Sequence, residues 1–250
     1  MTDRFHKPIG VWQRAALLVV LTLTATPLLA ESLTVTGRAR LERDGKIDAK
    51  ADTSNVVVWL SPLAAAAPVD ATSSRWTAHP RLTQKNKHFE PHVLVIPVGA
   101  AVEFPNHDPF FHNVFSLFDG KRFDLGLYEA GTTREVRFDK PGISYIFCNI
   151  HSDMSAVVIA LDTPYYAVSN GKGEIQIPDV PPGRYMMHVW TENSLPNVLQ
   201  TKAREVTITA TNASLGVISL PETQAGLTHS NKYGQDYEPP APTSPVYEHP

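Results

Sequence analysis

The chain has 250 residues, 22 Lys plus Arg against 25 Asp plus Glu, a formal net charge of −3 and 42% hydrophobic residues. That length suits one large domain or two small ones with room for a real core. Pro outnumbers Gly, 21 to 14, which argues against a long-helix protein, and the ordinary apolar share argues against a wholly disordered one. The acidic balance lacks the basic face needed to neutralise phosphates, so no nucleic acid partner is expected.

Cys148 is the single cysteine, so no intramolecular disulfide can form, a pattern of reducing compartments. Residues 1–30 point the other way. Arg4, Lys7 and Arg14 form a positive start, residues 15–25 are an apolar run broken only by Thr, and Pro27 precedes an expected cleavage after Ala30. The run is too short and too interrupted for a comfortable membrane span. The expected form is therefore periplasmic, with no stable membrane span after signal cleavage. Removing Asp3, Arg4, Lys7 and Arg14 with that segment leaves 19 basic against 24 acidic side chains, a net charge of −5. An exported free thiol oxidises unless something holds it.

Beyond residue 30 the pattern is short β-like runs separated by turn residues. Strands are expected at 33–37, 56–60, 92–96, 101–104, 135–138, 144–147, 156–161, 173–177, 185–190, 205–210 and 215–220. Asp44-Gly45, Asn170-Gly171, Lys172-Gly173 and Pro181-Pro182-Gly183 supply turn chemistry between them. No amphipathic helix longer than about two turns is evident. An all-β sandwich architecture follows. Residues 63–79 are Ala/Pro/Ser-rich and read as a linker. Residues 222–250, with five Pro in the last twelve positions, read as a disordered tail.

Chemistry concentrates in two segments. Cys148, His151 and Met154 stand in a C-x2-H-x2-M arrangement between two expected strands, and His112 followed by Asn113 lies upstream in FPNHDPFFHNVFS. Two imidazoles, one thiolate and one thioether form a soft, mixed set that suits a trigonal His2Cys copper site with a weak axial Met. Zinc fits less well, because Met is not among its usual ligands. Bound copper would also withdraw the lone thiol from disulfide chemistry. His107 reads as a loop residue, and His88 and His92 as surface or edge residues.

The segment HFEPHVLVIPVGAAVEFPNHDPFFHNVFS, with KPGISYIFCNIHSDM, resembles the cupredoxin signature of plastocyanin, pseudoazurin and amicyanin, over about residues 88–161. The short His-to-Met spacing is most similar to amicyanin. The resemblance implies that His112, Cys148, His151 and Met154 are the ligands of one copper cycling between Cu(I) and Cu(II). It also implies that Asn113 ties the His strand to the Cys loop by hydrogen bonding. Phe111 and Ile150 depart from the family, standing where Pro often precedes the first and second His, which alters loop stiffness.

The flanking segments VTGRARLERDGKIDAKADTSNVVVWLSP and TPYYAVSNGKGEIQIPDVPPGRYMMHVWTEN resemble the two ends of a carboxypeptidase-regulatory-like, or transthyretin-like, sandwich. The expected fold is an all-β Greek-key cupredoxin sandwich, residues 80–162, inserted in or flanked by this second β-sandwich, residues 31–62 and 163–221. The expected function is single-electron transfer without catalysis, the partner being a c-type cytochrome or an amine dehydrogenase. The alternatives are a copper chaperone or storage protein, or a carbohydrate-binding-like accessory module. H-x-H pairs, G-x-S-x-G and H-E-x-x-H patterns do not occur in the sequence.

Overall fold

The computed structural model describes residues 1, 32–64, 76–117, 120–223 and 229–237. The expected signal beyond Met1, residues 65–75 of the linker and much of the tail lie outside them. The part from Glu31 onward forms a single unit, and it is almost entirely β structure.

Two four-stranded sheets make the outer sandwich. In one, Leu33–Arg43 pairs antiparallel with Glu174–Val180 and parallel with Ser214–Pro221, and Lys46–Ile47 folds back on its end. In the other, Val57–Pro62 lies between Tyr166–Val168 and Gly183–Trp190, with Arg204–Ile208 at the edge. Each sheet therefore combines chain from before residue 63 with chain from after residue 163, on either side of the segment that carries the His and Cys motifs. The turn before Glu174 shows why a glycine is needed there. Gly173 has φ +73°, and a Cβ on it would collide with the Ala39 carbonyl. At that close approach Ala39 N–H donates to Gly173 O at 2.8 Å.

The inserted segment forms a five-stranded sheet in the order Val93–Pro97, Ser155–Leu161, Gly142–Cys148, His112–Ser116, Phe123–Tyr128. Facing it are the pair Ala101–Pro105 and Thr133–Arg137 and the hairpin Thr83–Lys85 with His88–Glu90. Side chains alternate across a strand, and here both faces are buried. Val157, Ile159 and Leu161 join Val93 and Val95 in the core of the outer sandwich. Ala156, Val158 and Ala160 join Leu94, Ile96, Phe104 and Ile146 in a second core around the His and Cys motifs. The two modules thus share a layer, and His92 adds a polar link to it. Its Nε2 meets Glu192 Oε2 at 2.5 Å, so His92 joins the two modules and is more than an edge residue.

The tail expectation needs correction for residues 229–237, which pack on the ligand-bearing strand through His229, Lys232 and Tyr237. The observed strands run longer than expected at several ends. His112–Ser116 and Phe123–Tyr128 are additional to the expected set, as are four short strands. His112–Ser116 is buried at every position and so has no polar alternation to reveal it.

A shared layer predicts shared stability. Ile159→Ala, at a position 1% exposed, is expected to cost about 2–5 kcal/mol of unfolding free energy. Fluorescence from Trp59 and Trp190 and thiol-reagent labelling of buried Cys148 should then report one coincident denaturant transition.

Candidate metal centre

The site forms where Gly142–Cys148 ends beside the start of His112–Ser116, with Cys148 opposite Val114 in the register. Cys148 N–H donates to Met154 O at 3.1 Å and Met154 N–H to His151 O at 3.2 Å. These bonds curl residues 148–154 into a tight loop that brings His151 back over its own strand. His112 Nδ1 and His151 Nδ1 each lie 3.5 Å from Cys148 Sγ. One ligand atom from each of the three residues falls within 4.8 Å of the others, the one such group among the described residues. Met154 is fully buried in the same core as Cys148. His107 is exposed and stands outside the cluster.

The tautomer of His112 is set by Asp108. His112 Nε2–H donates to Asp108 Oδ2 at 2.9 Å, which leaves Nδ1 with its lone pair toward the sulfur. Asp108 is 4% exposed. Burial opposes its charge, but N–H donors from Lys87 and Asn86 and the His112 bond outweigh that and hold its carboxyl below the usual carboxylate range. Those two N–H groups converge because Asn86 and Lys87 both have positive φ, 54° and 59°, at the tip of the hairpin. Asn106 braces the preceding loop: its Oδ1 accepts from Asp108 N–H and its Nδ2 donates to Phe110 O.

Burial governs the ligands' protonation. It pushes the Cys148 thiol up, against main-chain N–H groups of Asn113, Ile150 and His151 that face the sulfur. It lowers His112 below the ordinary imidazole value despite Asp108. It also brings His151 down to about 4, with the His112 and Lys87 charges acting in the same direction. Neutral imidazoles are ready donors, and a buried thiol that resists ionisation on its own is the group that a bound cation would deprotonate. The donor set of two imidazole nitrogens, one thiolate and a buried thioether nearby fits copper.

Asn113 does tie the His strand to the Cys loop, through its main chain: Asn149 N–H donates to Asn113 O at 2.8 Å. Its side-chain amide instead donates to Asp124 Oδ1 at 2.7 Å. Phe110 is half-buried, its ring centroid 5.3 Å from that of His112 and 5.5 Å from that of His151. Phe111 is 51% exposed. Sequence reasoning missed Asp108. The available signal was a carboxylate four residues before a ligand histidine within a Pro-bounded loop.

No protein-family model matches the chain, and no curated protein does. Among solved structures, the copper-containing nitrite reductase (NirK) from Thermus scotoductus SA-01 is 25% identical, with 39% of this chain covered and a TM-score of 0.33. The chain spans about a quarter of that protein's length, 26%. A purple cupredoxin from Nitrosopumilus maritimus is 25% identical over 34% of this chain and 100% of its own, with a TM-score of 0.31. An oxidised amicyanin variant is 18% identical over 38% of this chain and 91% of its own, with a TM-score of 0.32.

Two measurements check the site. In the metal-free protein the His151 ring should titrate by NMR near pH 4. The unfolded chain binds the proton that the folded site refuses, so stability should fall as pH drops from about 6.5 toward that value. Asp108→Ala should weaken copper binding by about 10–100-fold in competition titrations, the usual cost of losing a carboxylate behind a ligating histidine.

Proposed function

We propose that the chain is an exported copper protein that carries single electrons between redox partners, with one copper held by His112, Cys148 and His151 and, more weakly, by Met154. The observation that carries this reading is the buried Cys148 sulfur set 3.5 Å from one nitrogen of each of two imidazoles. Bound copper supplies a one-electron Cu(I)/Cu(II) couple. The residues around it keep their positions independently of that charge. Asp108 orients His112, the Cys148–Met154 bonds fix the loop, and burial excludes water, all of which keep reorganisation on electron transfer small.

His151 is partly exposed while His112 is buried, so His151 is the assigned route for electrons. Pro109, Phe110 and Phe111 give it an apolar rim suited to brief docking rather than to a permanent interface. The partner class is a c-type cytochrome or an amine dehydrogenase. No bond-making step is assigned, and the protein is read as a carrier rather than an enzyme. The basic, apolar and Pro-containing segment at residues 1–30, read as a cleaved export signal, supports a periplasmic location.

Titration with Cu(II) should develop an intense visible absorption that saturates at one equivalent, and Cys148→Ala should abolish it. Voltammetry should show reversible cycling without metal loss. Copper uptake with neither feature would indicate storage or delivery, and no uptake at His112 and Cys148 would remove the reading.

A further inference from the structure

Residues 229–237 return to the metal centre from beyond the last strand of the outer sandwich and meet it on the main-chain side of Cys148. Tyr237 Oη donates to the Cys148 carbonyl at 2.6 Å. Lys232 N–H donates to Asn149 Oδ1 at 2.8 Å. Lys232 Nζ pairs with Asp124 Oδ2 at 2.8 Å, and the other oxygen of that carboxylate receives the Asn113 amide. His229 stacks on Phe147, centroids 4.1 Å apart at 24°, and its Nδ1 lies 3.1 Å from Tyr237 Oη. The contacts fall on Phe147, Cys148 and Asn149, consecutive residues at the end of the ligand strand, and on the Asp124 that holds Asn113.

The segment folds on itself to reach them. Asn231 Oδ1 accepts from the N–H groups of Tyr233 and Gln235, closing a turn that sets Lys232 and Tyr237 on one side. The Cys148 carbonyl has Tyr237 as its side-chain donor, while the N–H of the same residue is committed to Met154. Both ends of the Cys148 residue are thus fixed, one by the ligand loop and the other by this segment. A phenol can only donate to a carbonyl, so this bond keeps its direction whatever the metal state.

We infer that residues 229–237 are a clamp on the ligand loop, with Tyr237 as the positioning residue that holds the Cys148 peptide, and so the thiolate, in place for the metal. The inference rests on the copper reading above, but the ordering of the loop does not depend on a metal being present. Tyr237 touches neither His112, His151 nor the sulfur among its hydrogen bonds, and acts through the backbone of Cys148.

The test compares wild type, Tyr237→Phe, Tyr237→Phe with Lys232→Met, and the control Val217→Ala at a residue 59% exposed on the outer sandwich. In the metal-free full-length protein, amide hydrogen exchange of residues 148–154 should speed up by about five-fold in Tyr237→Phe, the loss of one ordinary hydrogen bond, and further in the double variant. The loaded protein should release copper to a chelator faster by a similar factor, with a shifted visible absorption ratio, while Val217→Ala matches wild type. A merely structural tail would lower the melting temperature without moving the absorption ratio or the exchange of residues 148–154 relative to the other strands, and that outcome overturns the clamp. Wild-type protein that takes no copper at Cys148 removes the functional reading instead, and the metal-free exchange still decides whether the clamp exists.

Discussion

The five-stranded sheet at the centre of this molecule has no face turned to water along its middle strands, and the rest of the structure follows from that. A strand buried on both sides must be apolar at successive positions, and Ser155–Leu161 is: Val157, Ile159 and Leu161 serve one core while Ala156, Val158 and Ala160 serve the other. The small residues lie toward the core that holds Cys148 and Met154, where Phe104, Phe138 and Tyr128 need room. The larger ones lie toward the outer sandwich. A one-residue register slip would exchange the two sets, so both cores hold the strand to the same register.

That rigidity reaches the ligands by short routes. Cys148 ends a strand of the shared sheet and His112 begins another, and neither can shift without disturbing packing on two sides. His151 and Met154 come from the loop that immediately returns into Ser155–Leu161. The loop is short enough for its own main-chain bonds to determine its shape. Two sides of the site depend on separate elements: Asp108 on the hairpin whose Asn86 and Lys87 amides hold its carboxylate, and the Cys148 carbonyl on residues 229–237.

Much of this was readable in the residues. The spacing of Cys148 and His151 and the upstream His112 pointed to three side chains that the fold brings together, with Met154 buried in the same core as Cys148, and the turn at Lys172-Gly173 marked a point where only glycine fits. The halves of the outer sandwich carried matching strand patterns, and they do pair. What was hidden lacked a period or a composition signal. His112–Ser116 is buried throughout and shows no alternation. Asp108 looked like any loop acid until the hairpin amides faced it. Residues 229–237 have the polar, Pro-flanked composition of a free tail, yet they are held by individual polar contacts to Cys148, Asn149 and Asp124, which leave no trace in a hydropathy pattern. Asn113 makes its hydrogen bond to the Cys loop through the main chain, because its side chain is drawn to Asp124 on the neighbouring strand, which the residues alone do not reveal.

The insertion also has a consequence for the order in which the chain can assemble. Leu33–Arg43 and its partners, Glu174–Val180 and Ser214–Pro221, lie on opposite sides of the whole inserted segment. Pairings between such distant segments raise contact order and slow folding. The inserted sheet has its own local strand pairs and can form while that first strand still waits. The pairings that close the outer sandwich therefore carry the larger entropic cost of loop closure.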